Sequence, residues 1–183
     1  MACVAEWEQR VADLWASIDD HSEDEFLARM DEIVAELPAH SARGAFERAS
    51  AFDSTGHPDQ AVPLYRRALE LGLDGGLRRQ AVIQLASSLR NLGQPQESVE
   101  LLTAERGRES DELDYAVSAF LALALVDVGR ETEAVSVALE ALAPHLPSYQ
   151  RSLANYARLI AEYSSRVHWP LVLPGRQAAR GER

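Results

Sequence analysis

A chain of 183 residues with 46% hydrophobic and 26% charged residues has the size and composition of a single globular domain. It contains no apolar run close to the roughly 18 residues that a membrane-spanning helix needs. Its N-terminus lacks the basic segment and apolar core of a secretory signal. The lone cysteine, Cys3, excludes an intrachain disulfide. We therefore expect a cytoplasmic protein.

The net charge of −11 is unevenly distributed along the chain. Residues 1–40 carry −9 and residues 107–140 carry −6, whereas residues 41–106 are neutral and residues 166–183 carry +3. A negative field repels phosphate groups, so we expect no binding to nucleic acid or to anionic membranes. It favours a basic or amphipathic partner, although acidic side chains also simply keep a helical protein soluble. All 18 basic residues are arginines, so the chain has no lysine for an ionic contact.

The hydrophobic pattern predicts an all-α fold, because apolar residues recur with helical spacing and no useful length of chain alternates with a period of two. Proline and glycine fall mostly between the helical stretches rather than within them. Nine helices are predicted, with these approximate limits: Cys3–Ile18, Ser22–Leu37, Ser41 to just before Gly56, Pro58–Leu71, the turn at Asp74-Gly75-Gly76 to Leu92, Pro95–Ala104, Glu109–Val128, Glu131–Ala143 and Ser148–Arg166.

Local signals refine several of these helices. Ser22 followed by Glu25 is a capping box at the start of the second helix. Pro63 predicts an irregular start of the fourth helix. Trp7 and Trp15 share the apolar face of the first helix and are expected in the core. The last helix is expected to bury a stripe formed by Tyr149, Leu153, Tyr156, Ile160 and Tyr163.

Three glycines recur at nearly constant spacing. Gly56, Gly93 and Gly129 are 37 and 36 residues apart, and each separates an apolar helical stretch from a polar turn and a second helix. Such a period is typical of helical repeat arrays, whose hairpins bury their apolar faces only by stacking. The predicted organisation is a single domain over 1–166, with repeats at about 41–74, 78–106 and 114–147, a capping helix at 148–166 and a C-terminal tail at 167–183.

The segments Pro63–Leu69 and Ala81–Gly93 resemble the tetratricopeptide repeat family, and more narrowly a small bacterial subgroup with about three tandem repeats. The resemblance covers roughly residues 22–163. The family places a small residue in the middle of each first helix and two more, seven positions apart, in each second helix. The matching residues are Ala49, Ala86 and Ala122 in the first helices, with Ala61 and Ala68, Ser98 and Glu105, and Ala134 and Ala141 in the second helices. Because Glu105 departs from this pattern, the second hairpin is expected to end early and to join the seventh helix irregularly.

The resemblance implies a right-handed α-solenoid with an N-terminal helix pair, a C-terminal capping helix and a concave groove lined by the first helix of each repeat. Family register assigns these residues to the groove: Arg43, Phe46, Ser50, Asp53, Gln80, Ile83, Ser87, Arg90, Asn91, Ala119, Leu123, Val126 and Asp127. Arg90 beside Asn91 is the best pair for holding a peptide backbone or carboxylate. The lysine-dependent carboxylate clamp of some relatives is not expected.

No motif for catalysis, phosphate binding or zinc coordination is present in the sequence, so we expect no enzyme activity, no metal and no cofactor. The leading hypothesis is a scaffold that binds a peptide or partner protein. The alternative is a self-associating protein, for example a homodimer, whose groove is occluded by its own tail or by a second copy. The seventh helix favours this alternative because it is apolar nearly all round, so that Leu123 and Val126 need a cover. A ligand-responsive sensor is a third idea, but no effector domain is visible in these residues. The apolar tail segment Val167–Pro174 is predicted to dock on the molecule or on a neighbour.

Overall fold

The computed structural model describes residues 4–108 and 111–166, with side chains up to Tyr163. All regular secondary structure in these residues is helical. The helices are α1 Val4–Ala16, α2 Glu23–Val34, α3 Ala42–Ser54, α4 Pro58–Glu70, α5 Gly75–Asn91, α6 Pro95–Arg106, α7 Asp114–Asp127, α8 Glu131–Leu142 and α9 Gln150–Arg166. Short 3-10 turns follow α1 and α8. No helix of the described part is long and apolar enough to cross a membrane. The predicted docking of the tail lies outside the described residues.

Consecutive helices pack against each other along the chain, so the molecule is a stack of antiparallel hairpins. The glycine-marked hairpins α3–α4, α5–α6 and α7–α8 form the middle of the stack. The pair α1–α2 precedes them, and α9 packs on α8. In addition α5 contacts both α3 and α7, which places the first helices of the repeats side by side. The predicted right-handed α-solenoid is therefore confirmed.

The three recurring glycines end the first helix of each repeat. Gly56, Gly93 and Gly129 have φ values of 87°, 74° and 73°, a left-handed conformation that a side chain would strain. After each of them, an amide donates to the carbonyl five residues earlier, as the Gln94 amide does to the Leu89 carbonyl at 2.9 Å. This Schellman pattern satisfies carbonyls at the helix end, and its repetition explains the spacing seen in the sequence.

Small residues lie where the paired helices cross, as the family register predicts. Ala49, Ala61, Ala68 and Ala86 have no solvent exposure, and Ala122 is 9% exposed. A larger side chain at these positions would separate backbones that pack closely. Large side chains fill the spaces between hairpins, with Tyr65, Leu89, Leu102 and Leu125 among the fully buried ones.

Several helix limits differ from the sequence predictions. The helix α4 continues through Pro63, which lies inside it and removes one backbone hydrogen bond without ending the helix. The glycine pair predicted as a turn opens α5 instead, starting at Gly75. The helix α6 does not fade early but reaches Arg106, and α7 begins at Asp114. The predicted start of that helix at Glu109 lies outside the described residues.

The irregular position Glu105 is stabilised by ion pairs. Its side chain is buried, and Arg78 Nη1 donates to both of its carboxylate oxygens at 2.8 and 2.9 Å. Arg79, also buried, lies 3.8 Å from the same carboxylate and pairs with Asp111 at 2.8 Å and Asp114 at 2.7 Å. The carboxylate therefore joins α5 to the end of α6. Because α6 has 12 residues, as many as α8, the expectation that the second hairpin ends early is wrong.

The burial predicted for α9 is wrong for its tyrosines. Ala157 is 1% exposed and anchors the face on α8, where its carbonyl accepts a hydrogen bond from Ser136 Oγ at 2.7 Å. Leu153 and Ile160 flank it and are half-buried. Tyr149 precedes α9, and Tyr156 and Tyr163 lie on α9 outside the face that Ala157 anchors. Their exposed fractions are 81% for Tyr149, 62% for Tyr156 and 62% for Tyr163.

Candidate partner-binding groove

Four helices present corresponding residues on one side of the stack. The repeat step is 37 residues from α3 to α5 and 36 residues from α5 to α7. A further step of 36 residues leads from α7 to α9. It takes three buried residues of α7 to the residues of α9 that face α8: Val117 to Leu153, Leu121 to Ala157 and Ala124 to Ile160. The same steps define four rows of residues, which we call the groove face. Its rows are Arg43, Glu47, Ser50 and Ser54 on α3; Gln80, Gln84, Ser87 and Asn91 on α5; Ala116, Phe120, Leu123 and Asp127 on α7; and Ser152, Tyr156, Leu159 and Tyr163 on α9.

The α3 row is covered by α1. Trp15 Nε1 donates to Glu47 Oε2 at 3.0 Å, and Arg43 Nε donates to Glu47 Oε1 at 2.6 Å. The Arg43 guanidinium also lies 5.6 Å from the centre of the Trp7 ring, within the range of a cation–π contact. A cleft of about 340 Å³ remains between α1, α3 and α5. The predicted groove residue Arg43 therefore helps to hold α1 in place and lines this cleft.

A polar network joins α3 to α5 beneath the groove face. Ser88 Oγ donates to Asp53 Oδ1 at 2.7 Å, Ser50 Oγ donates to Gln84 Oε1 at 3.3 Å, and the Tyr65 hydroxyl donates weakly to Ser50 and Asp53. Burial raises the pKa of the Asp53 carboxyl, and its two hydrogen bonds oppose that shift only in part. The predicted groove residues Ser50 and Asp53 thus bind the two repeats together, and Ser50 is only 3% exposed.

Two apolar residues predicted for the groove belong to the core instead. Phe46 is 5% exposed and packs in the cluster between α3, α4 and α5. Ile83 is 6% exposed and packs in the cluster that contains α7. Both occupy the helix face that meets the first helix of the next repeat, so they are covered by that helix. Phe46 still borders the cleft beside α1.

Arg90 and Asp127 form a bridge between α5 and α7. Arg90 Nε lies 2.6 Å from Asp127 Oδ2, and the Arg90 side chain is 19% exposed. Both residues were assigned to the groove from the sequence, and the structure brings them together. The guanidinium is already engaged by a carboxylate, so its first role is to fix the spacing of two rows of the groove face.

The α5 row is polar and open. Gln80 and Asn91 are exposed, and Ser87 and Gln84 are half-buried. Sequence reasoning found three of these residues and missed Gln84, which lies four residues after Gln80 on the same helix face. Amide side chains supply both donors and acceptors, so this row matches the hydrogen-bonding needs of a peptide backbone.

The α7 row is largely apolar and also open. Leu123 is 48% exposed and Asp127 is exposed. Val126, 50% exposed, and Ala119, also exposed, adjoin this row on the same helix and are counted with it below. Phe120, which sequence reasoning missed, is half-buried beside them. The sequence analysis expected that Leu123 and Val126 would face the groove and would need another surface to cover them. Among the described residues, nothing covers them fully.

The fourth row, on α9, was also missed as part of the groove. Tyr156, Leu159 and Tyr163 are 62%, 45% and 62% exposed. Sequence reasoning treated α9 as a cap with buried tyrosines, although the 36-residue step from α7 assigns these residues to the groove face. The groove face thus changes from charged on α3, through amides on α5, to apolar and aromatic on α7 and α9.

Within the part of the chain that the structure describes, no group of three or more histidine, cysteine, aspartate or glutamate side chains could hold a metal ion. The groove face is built from rows of side chains on helices that lie side by side. A helical repeat stack with such an open face defines an interaction protein.

Comparisons with known proteins identify the family. A family model described as tetratrico peptide repeat matches residues 42–160. The chain therefore belongs to the tetratricopeptide repeat family, which is a family of protein–protein interaction modules. The predicted membership of the tetratricopeptide repeat family is confirmed. No match was found among curated protein sequences.

Two solved structures share the fold. The first contains nearly identical TPR-like repeats from a Podosopora anserina protein assigned as a kinesin light chain; it has a TM-score of 0.65 and 20% identity, with 91% of this chain and 96% of that chain covered. The second is MamA protein, with a TM-score of 0.57 and 16% identity, covering 91% of this chain and 79% of the other. At these identities the likeness establishes the fold alone.

Proposed function

We propose that this chain is a non-enzymatic interaction protein that binds an extended segment of a partner protein on the groove face. The observation that carries the proposal is the open amide row of α5 lying next to the open apolar row of α7. A peptide needs both, because its backbone must keep its hydrogen bonds while its apolar side chains leave water.

The amide row would hold the backbone of the bound segment. Gln80 and Asn91 lie near opposite ends of α5, and both are exposed. Because α5 has 17 residues, the row follows the helix for much of its length of about 25 Å. An extended peptide that crosses this row would find donors and acceptors on side chains rather than on a sheet edge.

The apolar row would supply most of the binding free energy. Leu123 and Val126 are about half exposed, so a partner side chain can still remove much of their surface from water. Full burial of one Leu or Val side chain contributes roughly 1.5–3 kcal/mol, and half-exposed residues contribute less. The net charge of −11 favours a partner segment with basic residues beside its apolar ones.

The test is a matched pair of substitutions. Peptides are selected from a displayed random library on the full chain, and the dissociation constant of the best peptide is measured by titration calorimetry. Leu123→Glu should weaken binding by at least roughly tenfold, because the partner must then bury a carboxylate. Val135→Glu is the control, since Val135 is 49% exposed on α8, a second helix that contributes no row to the groove face. Equal binding by the wild type and both variants would show that the groove face is not the site.

Self-association is the second candidate, favoured by the exposed aromatic residues of α9. A second copy that packs on this face would give a homodimer through the same apolar rows. Sedimentation equilibrium over a wide concentration range measures the mass directly. A dimer that Leu123→Glu converts to a monomer, while Val135→Glu does not, would favour this candidate over partner binding.

A further inference from the structure

Large apolar side chains are exposed on both α7 and α9 at one end of the groove face. Arg90 on α5 reaches Asp127 on α7, and moving both members of this pair by 36 residues gives Val126 on α7 and Tyr163 on α9. Val126 and Tyr163 are therefore expected to face each other, as Arg90 and Asp127 do. With Leu123, Tyr156 and Leu159 they make a strip of five large side chains, each between 45% and 62% exposed. An exposed apolar surface of this kind marks a binding site.

The chain itself continues next to this strip. Immediately after Arg166, where α9 ends, the sequence reads Val167-His-Trp-Pro-Leu-Val-Leu-Pro174. Its two prolines prevent a further helix and favour an extended backbone. In an extended chain alternate residues share a face, so one face would carry Val167, Trp169, Leu171 and Leu173. The segment thus has an apolar face that matches the strip in character.

The lengths also match. Eight extended residues span at most about 26–29 Å, and the 17 residues of α9 span about 25 Å. A segment that turns back at the end of α9 can therefore follow the helix for its whole length. Because the segment is tethered, its effective concentration at the strip is of millimolar order.

We propose that residues 167–174 dock in cis on the strip formed by Leu123, Val126, Tyr156, Leu159 and Tyr163. The proposal goes beyond partner binding, because it concerns contacts within one chain and holds or fails without a partner. Its consequence is that a partner reaches the apolar end of the groove face only by displacing the chain's own segment. The amide row of α5 stays open, so a partner can bind there first.

Tryptophan fluorescence of the full chain tests the proposal. Trp7 is buried and Trp15 is half-buried, so the difference between wild-type and Trp169→Phe emission isolates Trp169. Docking predicts that acrylamide quenches Trp169 several-fold less than it quenches a free tryptophan derivative. In the Leu159→Glu variant, acrylamide should quench Trp169 as strongly as it quenches the free derivative. Ala154→Glu changes an exposed residue on the opposite side of α9 and should leave Trp169 protected. Circular dichroism confirms that each variant keeps its helices.

Each other outcome overturns the proposal. Quenching of Trp169 equal to that of the free derivative would show that the segment does not dock. Protection that survives Leu159→Glu would place the segment on another surface. Protection that disappears together with a dimeric mass after roughly hundredfold dilution would show docking in trans on a second copy. Loss of peptide binding in Leu123→Glu, together with a Trp169 that is already unprotected in the wild-type chain, would support the proposed function and overturn the docking alone.

Discussion

The buried carboxylate of Glu105 occupies a position where the repeat family places a small residue, so Glu105→Ala moves the chain towards the family pattern. We nevertheless expect this substitution to destabilise the fold. The substitution removes the two hydrogen bonds that Arg78 Nη1 donates to the Glu105 carboxylate, at 2.8 and 2.9 Å. It also removes the negative charge that lies 3.8 Å from Arg79 Nε. Arg79 retains Asp111 and Asp114, and the Arg78 side chain is 29% exposed and can be hydrated. The cost should thus stay below the ~3–5 kcal/mol of an uncompensated buried charge.

We expect a loss of about 2–3 kcal/mol, in the range of hydrogen bonds to charged groups. For a domain of this size, 1 kcal/mol shifts the melting temperature by about 2–4 °C, so the expected decrease is about 4–12 °C. Thermal unfolding followed by the helical signal in far-ultraviolet circular dichroism measures it. Glu100→Ala is the control, because Glu100 is exposed on the same helix and should shift stability by less than about 0.5 kcal/mol. If both variants melt together, the ion cluster does not stabilise the α5–α6 hairpin and the reasoning is refuted.

Two further predictions concern the packing and the polar network between repeats. Ala86→Leu should cost about 1–3 kcal/mol by overpacking the crossing of α5 and α6, where Ala86 has no exposure. Ala28→Leu on the exposed side of α2 is its control, and equal melting temperatures would contradict the close crossing. Asp53→Asn tests the raised pKa of Asp53. The folded state holds a proton there more tightly than the unfolded chain does, so wild-type stability should fall relative to the variant as the pH rises from about 3.8 through the raised value. Denaturant titrations at several pH values measure this difference, and a difference independent of pH would argue against the shift.

Much of the fold could be predicted from the sequence because it depends on short-range, repeated signals. The glycines at 56, 93 and 129 end helices through backbone bonds five residues apart, which a local pattern reveals. The buried alanines at the helix crossings follow from the same register. The solenoid and the order of its hairpins could therefore be predicted from the order of residues. The assignment of Gln80 and Asn91 to a groove came from the family resemblance, and the structure shows both side chains exposed.

The groove was predicted less completely, because exposure depends on what packs on each row. Phe46 and Ile83 have the spacing of groove residues, yet the next helix covers them. The α3 row is engaged by Trp15, 32 positions before Glu47, and no local pattern announces that contact. A helical period identifies a face of a helix but does not say whether a neighbour will cover it.

The sequence by itself determined the repeat, its helices and its turns, because these follow from local backbone preferences and from the period of small and apolar residues. Only the tertiary structure decided which apolar residues stay exposed and which charges are buried. Tyr156 and Tyr163 of α9 are exposed because α8 packs on the face of Ala157 instead, and Glu105 is buried beside Arg78, 27 positions earlier, which donates to its carboxylate. Both outcomes depend on contacts between residues far apart in the chain, whose positions are set by the stacking of whole helices.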